Sequence, residues 1–217
     1  MGSVGLLYVG AILFLNGVML LGWVDGKSAA PLNVFVGLLQ VVTPTYLIFT
    51  ADGDANQILG ASGLYLFGFT YLYVAFNLFF DLDGTGLGWF SGFVAGCAVV
   101  FAGLNFWREG FGDAGFGVIW LYWAFLWGLF FLLLGLGWDS IGRYTGAVCA
   151  TQGIVTGAIP AFLLLTGEWG DNVDAAAVIL AIFGVLAFGA YWFIVGQDPA
   201  DPGETPSQAA AHQVAST

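Results

Sequence analysis

Seven blocks of apolar residues, parted by short polar stretches, constrain this chain more than any other feature, because each holds about the 20 residues that a helix needs to cross roughly 30 Å of hydrocarbon. They fall at about 4–24, 30–50, 57–80, 87–107, 114–136, 141–166 and 174–196. The blocks are continuously apolar rather than alternating. This selects helices over barrel strands, since lipid leaves every backbone group to be satisfied internally. A chain with 59% hydrophobic and 8% charged residues is also too apolar for a soluble domain. The expected fold class is an all-α integral membrane protein with seven transmembrane helices. The first block has no Lys or Arg before it and is interrupted by Asn16-Gly17 without an A-x-A site, so it is read as the first helix and not as a cleaved signal peptide. The 34 glycines fit, since small residues let membrane helices approach closely.

All three Lys and Arg and all fourteen Asp and Glu fall in predicted loops, span ends or the tail. Ion pumps and proton-coupled transporters place ionisable groups within the membrane to bind a charge or relay a proton. Their expected absence there points to a neutral solute. The net charge of −11 makes loops and tail acidic, which argues against nucleic acid and anionic lipid surfaces as partners and suits concentrated salt. Lys27 and Arg143 fall on one side of a seven-span chain and Arg108 on the other. The positive-inside tendency then places the N-terminus outside and the tail in the cytoplasm. The transmembrane domain is expected to cover 1–196, followed by a disordered acidic cytoplasmic tail over 197–217, rich in Pro, Ala and Ser. Cys97 and Cys149 lie in spans and read as small buried hydrophobes, and the lone His212 is in the tail, so neither a metal nor a cofactor is expected.

A channel for a small polar neutral molecule needs a narrow, ion-repelling path with a few hydrogen-bonding groups. On the fifth span Phe116, Trp120, Trp123 and Trp127 recur at four, three and four residues and share one helix face. Interfacial belts and packing also gather aromatics, but Trp120 to Trp127 fall well inside the span. On the third span Phe67 and Tyr71 are one turn apart, with Asn77 beyond them. On the first, Leu6, Val9 and Leu13 form one apolar face near Asn16. Gln152 is the most polar group of the sixth span. Asn16, Asn77 and Gln152 either join helices by hydrogen bonds or offer donors and acceptors that match a urea or amide solute. Pro160 is expected to kink the sixth span and Pro44 the second.

Several strings, in order, resemble the AmiS/UreI family of urea and short-amide channels: Leu7-Tyr8-Val9-Gly10 with Asn16-Gly17, Asn33 with Phe35-Val36-Gly37, Leu66-Phe67-Gly68-Phe69-Thr70-Tyr71-Leu72-Tyr73 with Asn77, Ile119-Trp120-Leu121 with Trp123 and Leu126-Trp127, and Gly153, Thr156 and Ile159-Pro160-Ala161. The resemblance covers about 1–166 and leaves the helix at about 174–196 as an addition. It implies a six-helix channel core of three helix hairpins, a ring of six protomers each with its own pore, and passage of urea or short aliphatic amides toward a cytoplasmic urease or amidase. It places pore constrictions at Leu6, Val9 and Leu13, at Phe67 and Tyr71, and at Trp120, Trp123, Leu126 and Trp127. Two departures stand out. Gln152 occupies a position where relatives often have Glu, and the loop of about Thr50 to Gln57 lacks the long histidine-bearing segment of acid-gated relatives. Acid gating is therefore not expected.

A retinal protein would need a lysine in the last helix, yet the sole lysine is Lys27 in the first loop. A non-transporting scaffold or assembly subunit would explain the aromatic stripe as packing but not the ordered motifs. The spans offer no nucleophile with a base, metal cluster or paired carboxylates, so an enzyme is not expected.

Overall fold

The computed structural model describes residues 2–170 and 173–195. Among them are α1 (Gly2–Leu20), α2 (Gly26–Phe49), α3 (Ala55–Phe80), α4 (Thr85–Trp107) and α5 (Ala114–Phe130), which a π-helical turn, Phe131–Gly135, extends. The sixth span is composite: a 3-10 turn (Asp139–Ile141), α6 (Gly142–Gln152), a π-helical stretch (Gly153–Ala158) and α7 (Ile159–Thr166). It is followed by α8 (Val173–Ile194). Seven of these runs are long and apolar enough to cross a membrane, with mean hydropathy from 1.5 to 2.3. The protein is an all-helical, multi-pass membrane protein, and the described residues contain no strand. The tail expected over 197–217, and His212 with it, lies outside the described residues.

Aspartates stand at the start of four spans. Asp25 accepts from the backbone N–H groups of Lys27 and Ser28, Asp54 from those of Asn56 and Gln57, and Asp113 from that of Phe116, while Asp83 takes the N–H of Thr85 just ahead of α4. Each satisfies donors that the first helical turn leaves unpaired, and its charge sits favourably at the positive end of the helix dipole. Part of the acidic balance is thus capping at the membrane surface. The first span ends before the expected residue 24: apolar Leu21, Trp23 and Val24 prolong the hydropathy signal, but Gly22 at φ 83° turns the chain. Pro160 is the second residue after the widened π stretch. It lacks an N–H and crowds the carbonyl one turn back, so the sixth span changes its winding there. Pro44 lies inside α2, which stays helical throughout.

The most extensive helix pairings are α2 with α3, α4 with α5, and the sixth span with α1. Two of these are sequential hairpins. The third joins the first and last members of the six-helix core and closes it on itself. Glycine makes that closure possible: a Cβ on Gly10 would stand 2.6 Å from Ala158 N and Gly153 O, so only a bare Cα fits against this backbone. α8 packs outside α5 and α6 through Leu180, Gly184 and Phe188. The Tyr122 hydroxyl donates to the Leu180 carbonyl and that of Tyr144 to the Phe188 carbonyl. The other face of α8, with Ile179, Val185, Leu186 and Phe193, is exposed as a lipid-facing helix would be.

Candidate functional site

A cavity of about 390 Å³ opens on the side of the molecule that carries the start of α1. Its mouth is framed by Gly2 and Ser3, by Asn105 at the end of α4, by Gly112 and Asp113, and by Phe116. Asp113 is fixed there: Oδ1 accepts from the Phe116 N–H and Oδ2 from the Trp169 indole N–H at 2.9 Å. Trp169, buried against Gly115, stacks edge-on to Phe116 with ring centroids 5.3 Å apart. Phe116 therefore belongs to the mouth, while the rest of its stripe lies deeper.

The floor is aromatic. Phe67 lies 4.7 Å from Trp123 and 5.0 Å from Trp127, both edge-on, and 5.6 Å from Trp120. Trp120 stacks on Phe101 of α4 at 4.5 Å. Leu6 and Val9 of α1 complete the apolar wall. Leu13, Tyr71, Leu126 and Trp127 continue the same faces beyond the floor; none is more than 2% exposed, so the space is closed at that level. The three faces that periodicity picks out on α1, α3 and α5 thus converge in one place.

Two threonines hold the indoles. Trp123 Nε1 donates to Thr156 Oγ1 at 3.1 Å, and Thr156 donates to the Gln152 carbonyl at 2.7 Å. Trp127 Nε1 donates to Thr70 Oγ1 at 3.2 Å, and Thr70 donates to the Leu66 carbonyl at 2.7 Å. Each ring is pinned by its only polar atom and shows its apolar surfaces to neighbours.

The three polar candidates differ. Asn16 and Asn33 form a reciprocal amide pair at 3.0 and 2.8 Å, which joins α1 to α2 and occupies the Asn16 side chain. Gln152 is fully buried; its Nε2 donates to the Tyr122 carbonyl at 3.0 Å while Oε1 has no partner. Asn77, half-buried near the opposite end of α3, leaves Oδ1 without a partner. Gln40 of α2, which periodicity does not single out, borders the cavity, is fully buried and has no partner for either amide atom. Its one signal in the sequence is a carboxamide within Leu38-Leu39-Gln40-Val41. Among the described residues no charged side chain is buried, and no cluster of His, Cys, Asp or Glu could hold a metal.

The family model of the AmiS/UreI family transporter matches residues 1–168. The chain belongs to the AmiS/UreI family. A Mycolicibacterium smegmatis protein named as a transporter of amidate substrates is 55% identical over 187 residues, covering 86% of each chain. The acid-activated urea channel of Helicobacter pylori is 34% identical over 192 residues, 76% of this chain and 97% of that one. The cryoEM structure of the Helicobacter pylori urea channel in a closed state superposes with a TM-score of 0.70 at 35% identity, covering 78% of this chain and 100% of that one. In this AmiS/UreI protein the matched region ends at 168, just ahead of α8.

Proposed function

We propose that this protein is a passive channel through which urea and short aliphatic amides cross the cell membrane toward a cytoplasmic urease or amidase. The observation that carries the proposal is the single path formed by the 390 Å³ cavity and the aromatic floor of Phe67, Trp120 and Trp123 beneath it. A flat neutral solute fits between rings. An ion entering the same apolar space would lose its hydration with no buried counter-charge to replace it. Leu6, Val9, Leu13, Phe67, Tyr71, Phe116, Trp120, Trp123, Leu126 and Trp127 line the route. Asn77 and Gln152 offer unpaired amide oxygens to the solute, and Asn16 contacts it only by releasing Asn33. The names of the amidate-substrate transporter and the urea channel support this solute class.

In this reading, 1–168 is the channel core and α8 an added helix, the cavity faces outward, and the tail lies in the cytoplasm. Protomers assemble as a ring, six by family resemblance, each with its own pore. The channel is not gated by acid. Stopped-flow light scattering on proteoliposomes tests the proposal. Urea or acetamide is expected to enter faster than into empty liposomes at both pH 7 and pH 5. Entry of neither solute, with folded protein, would overturn it.

A further inference from the structure

Among the described residues, Gln40 alone has both polar atoms of its side chain buried without a partner. A carboxamide offers two donors and two acceptor lone pairs, and burying these unpaired is unfavourable. Yet Gln40 Nε2 and Oε1 are both buried without a partner, in the wall of the cavity that holds Leu6, Val9 and Phe67. The residue is wedged by two glycines. A Cβ on Gly5 would stand 2.7 Å from Nε2, and one on Gly68 would stand 3.0 Å from the Gln40 backbone carbonyl. α1 therefore leaves room for this amide at Gly5, while Gly68 lets the α2 backbone approach α3, and neither helix supplies a bond to it.

The geometry points to Gln40 as the residue that recognises the carboxamide group of the passing solute. This inference rests on the channel reading and deepens it by naming a specificity-determining contact. A primary amide or urea carries a C=O and, on the same edge, an N–H turned toward it, so it can exchange two hydrogen bonds at once with a side-chain amide. The protein already contains this motif: Asn16 and Asn33 make that reciprocal pair at 3.0 and 2.8 Å. Gln40 is the same chemical group with its half of the pair open. An amide solute replaces its lost water there, on an otherwise apolar wall, whereas a solute lacking that edge leaves at least one Gln40 atom unpaired.

N-methylacetamide provides the discriminating probe. Its strongly preferred trans form turns the N–H away from the carbonyl, so it cannot make the two-bond pair, although it keeps the same functional groups. Uptake of acetamide and of N-methylacetamide is measured in proteoliposomes for the native protein, Gln40→Met, Gln40→Leu and Gln40→Asn. Methionine matches the length of glutamine without its hydrogen bonds, and leucine serves if the methionine variant does not fold. The native preference for acetamide is expected to fall roughly tenfold in Met or Leu, the worth of one to two hydrogen bonds, and to be partly kept in Asn. An unchanged preference in folded Met or Leu variants that still pass acetamide would overturn the role of Gln40 and leave the channel reading intact. Failure of the native protein to pass either urea or acetamide would instead overturn both.

Discussion

Trp123 and Thr156 are joined by a hydrogen bond of 3.1 Å, and Thr156 passes the link on to the Gln152 carbonyl at 2.7 Å. Both residues are buried, so water does not compete for the indole N–H. Thr156→Val keeps the shape and removes the acceptor, which is expected to cost about 1–3 kcal/mol of stability. Thr156→Ser keeps the hydroxyl and is expected to lose less. Thermal unfolding of the purified protein checks this; equal losses in the two variants would mean that the hydroxyl holds nothing.

Trp123→Ala removes the ring that meets Phe67 edge-on at 4.7 Å and opens the cavity floor. Solute selectivity is expected to relax, with butyramide gaining several-fold on acetamide in proteoliposome uptake, while the assembly stays folded. The stability cost of truncating a buried Trp is about 3–5 kcal/mol. Lost assembly with unchanged flux per surviving protein would assign Trp123 to packing alone.

Gly10→Val drives side-chain atoms into the space that Ala158 N and Gly153 O already fill, each only 2.6 Å from where the first side-chain carbon would lie. Backbone cannot yield as a flexible side chain does, so α1 must separate from the sixth span. A loss of at least about 1–3 kcal/mol is expected. It would be read as a shift of the folded peak in size-exclusion chromatography; a native-like profile would refute the close approach.

Flux is expected to be the same at pH 7 and pH 5. The described residues contain no histidine. Asp83, at the start of α4, is held below the ordinary 3.8 by hydrogen bonds from the Thr85 hydroxyl and then its backbone N–H. A lowered carboxyl contributes stability above its ordinary pKa and loses it only as pH falls through the lowered value, which lies beneath the assay window. A several-fold rise at pH 5 would sink this expectation.

The spans and the three converging faces were legible because hydropathy and helical period are local signals: Leu6, Val9 and Leu13, or Trp120, Trp123 and Trp127, declare a shared face by spacing alone. The partners of single polar residues were not. Asn16 reads equally as a helix joint or as a solute contact, since Asn33 and a urea molecule satisfy the same atoms, and only the position of α2 decides which is at hand. Gln40 has no periodic companion, and its meaning comes from Gly5 and Gly68 on two other helices. Trp169, in the turn after α7, reaches the mouth through Asp113, a contact between residues far apart in the chain.

The pairing of α1 with the sixth span has a consequence for biosynthesis. α1 leaves the ribosome first, yet the backbone that its glycines are cut to fit, from Ala150 to Ala158, is made only after four further helices have entered the bilayer. Until then α1 has only α2 among its main partners, while α2 with α3 and α4 with α5 are already complete as sequence neighbours. The cavity, which takes Leu6 and Val9 from α1 and Leu164 from the sixth span, is therefore complete only once the last helix of the core has been made.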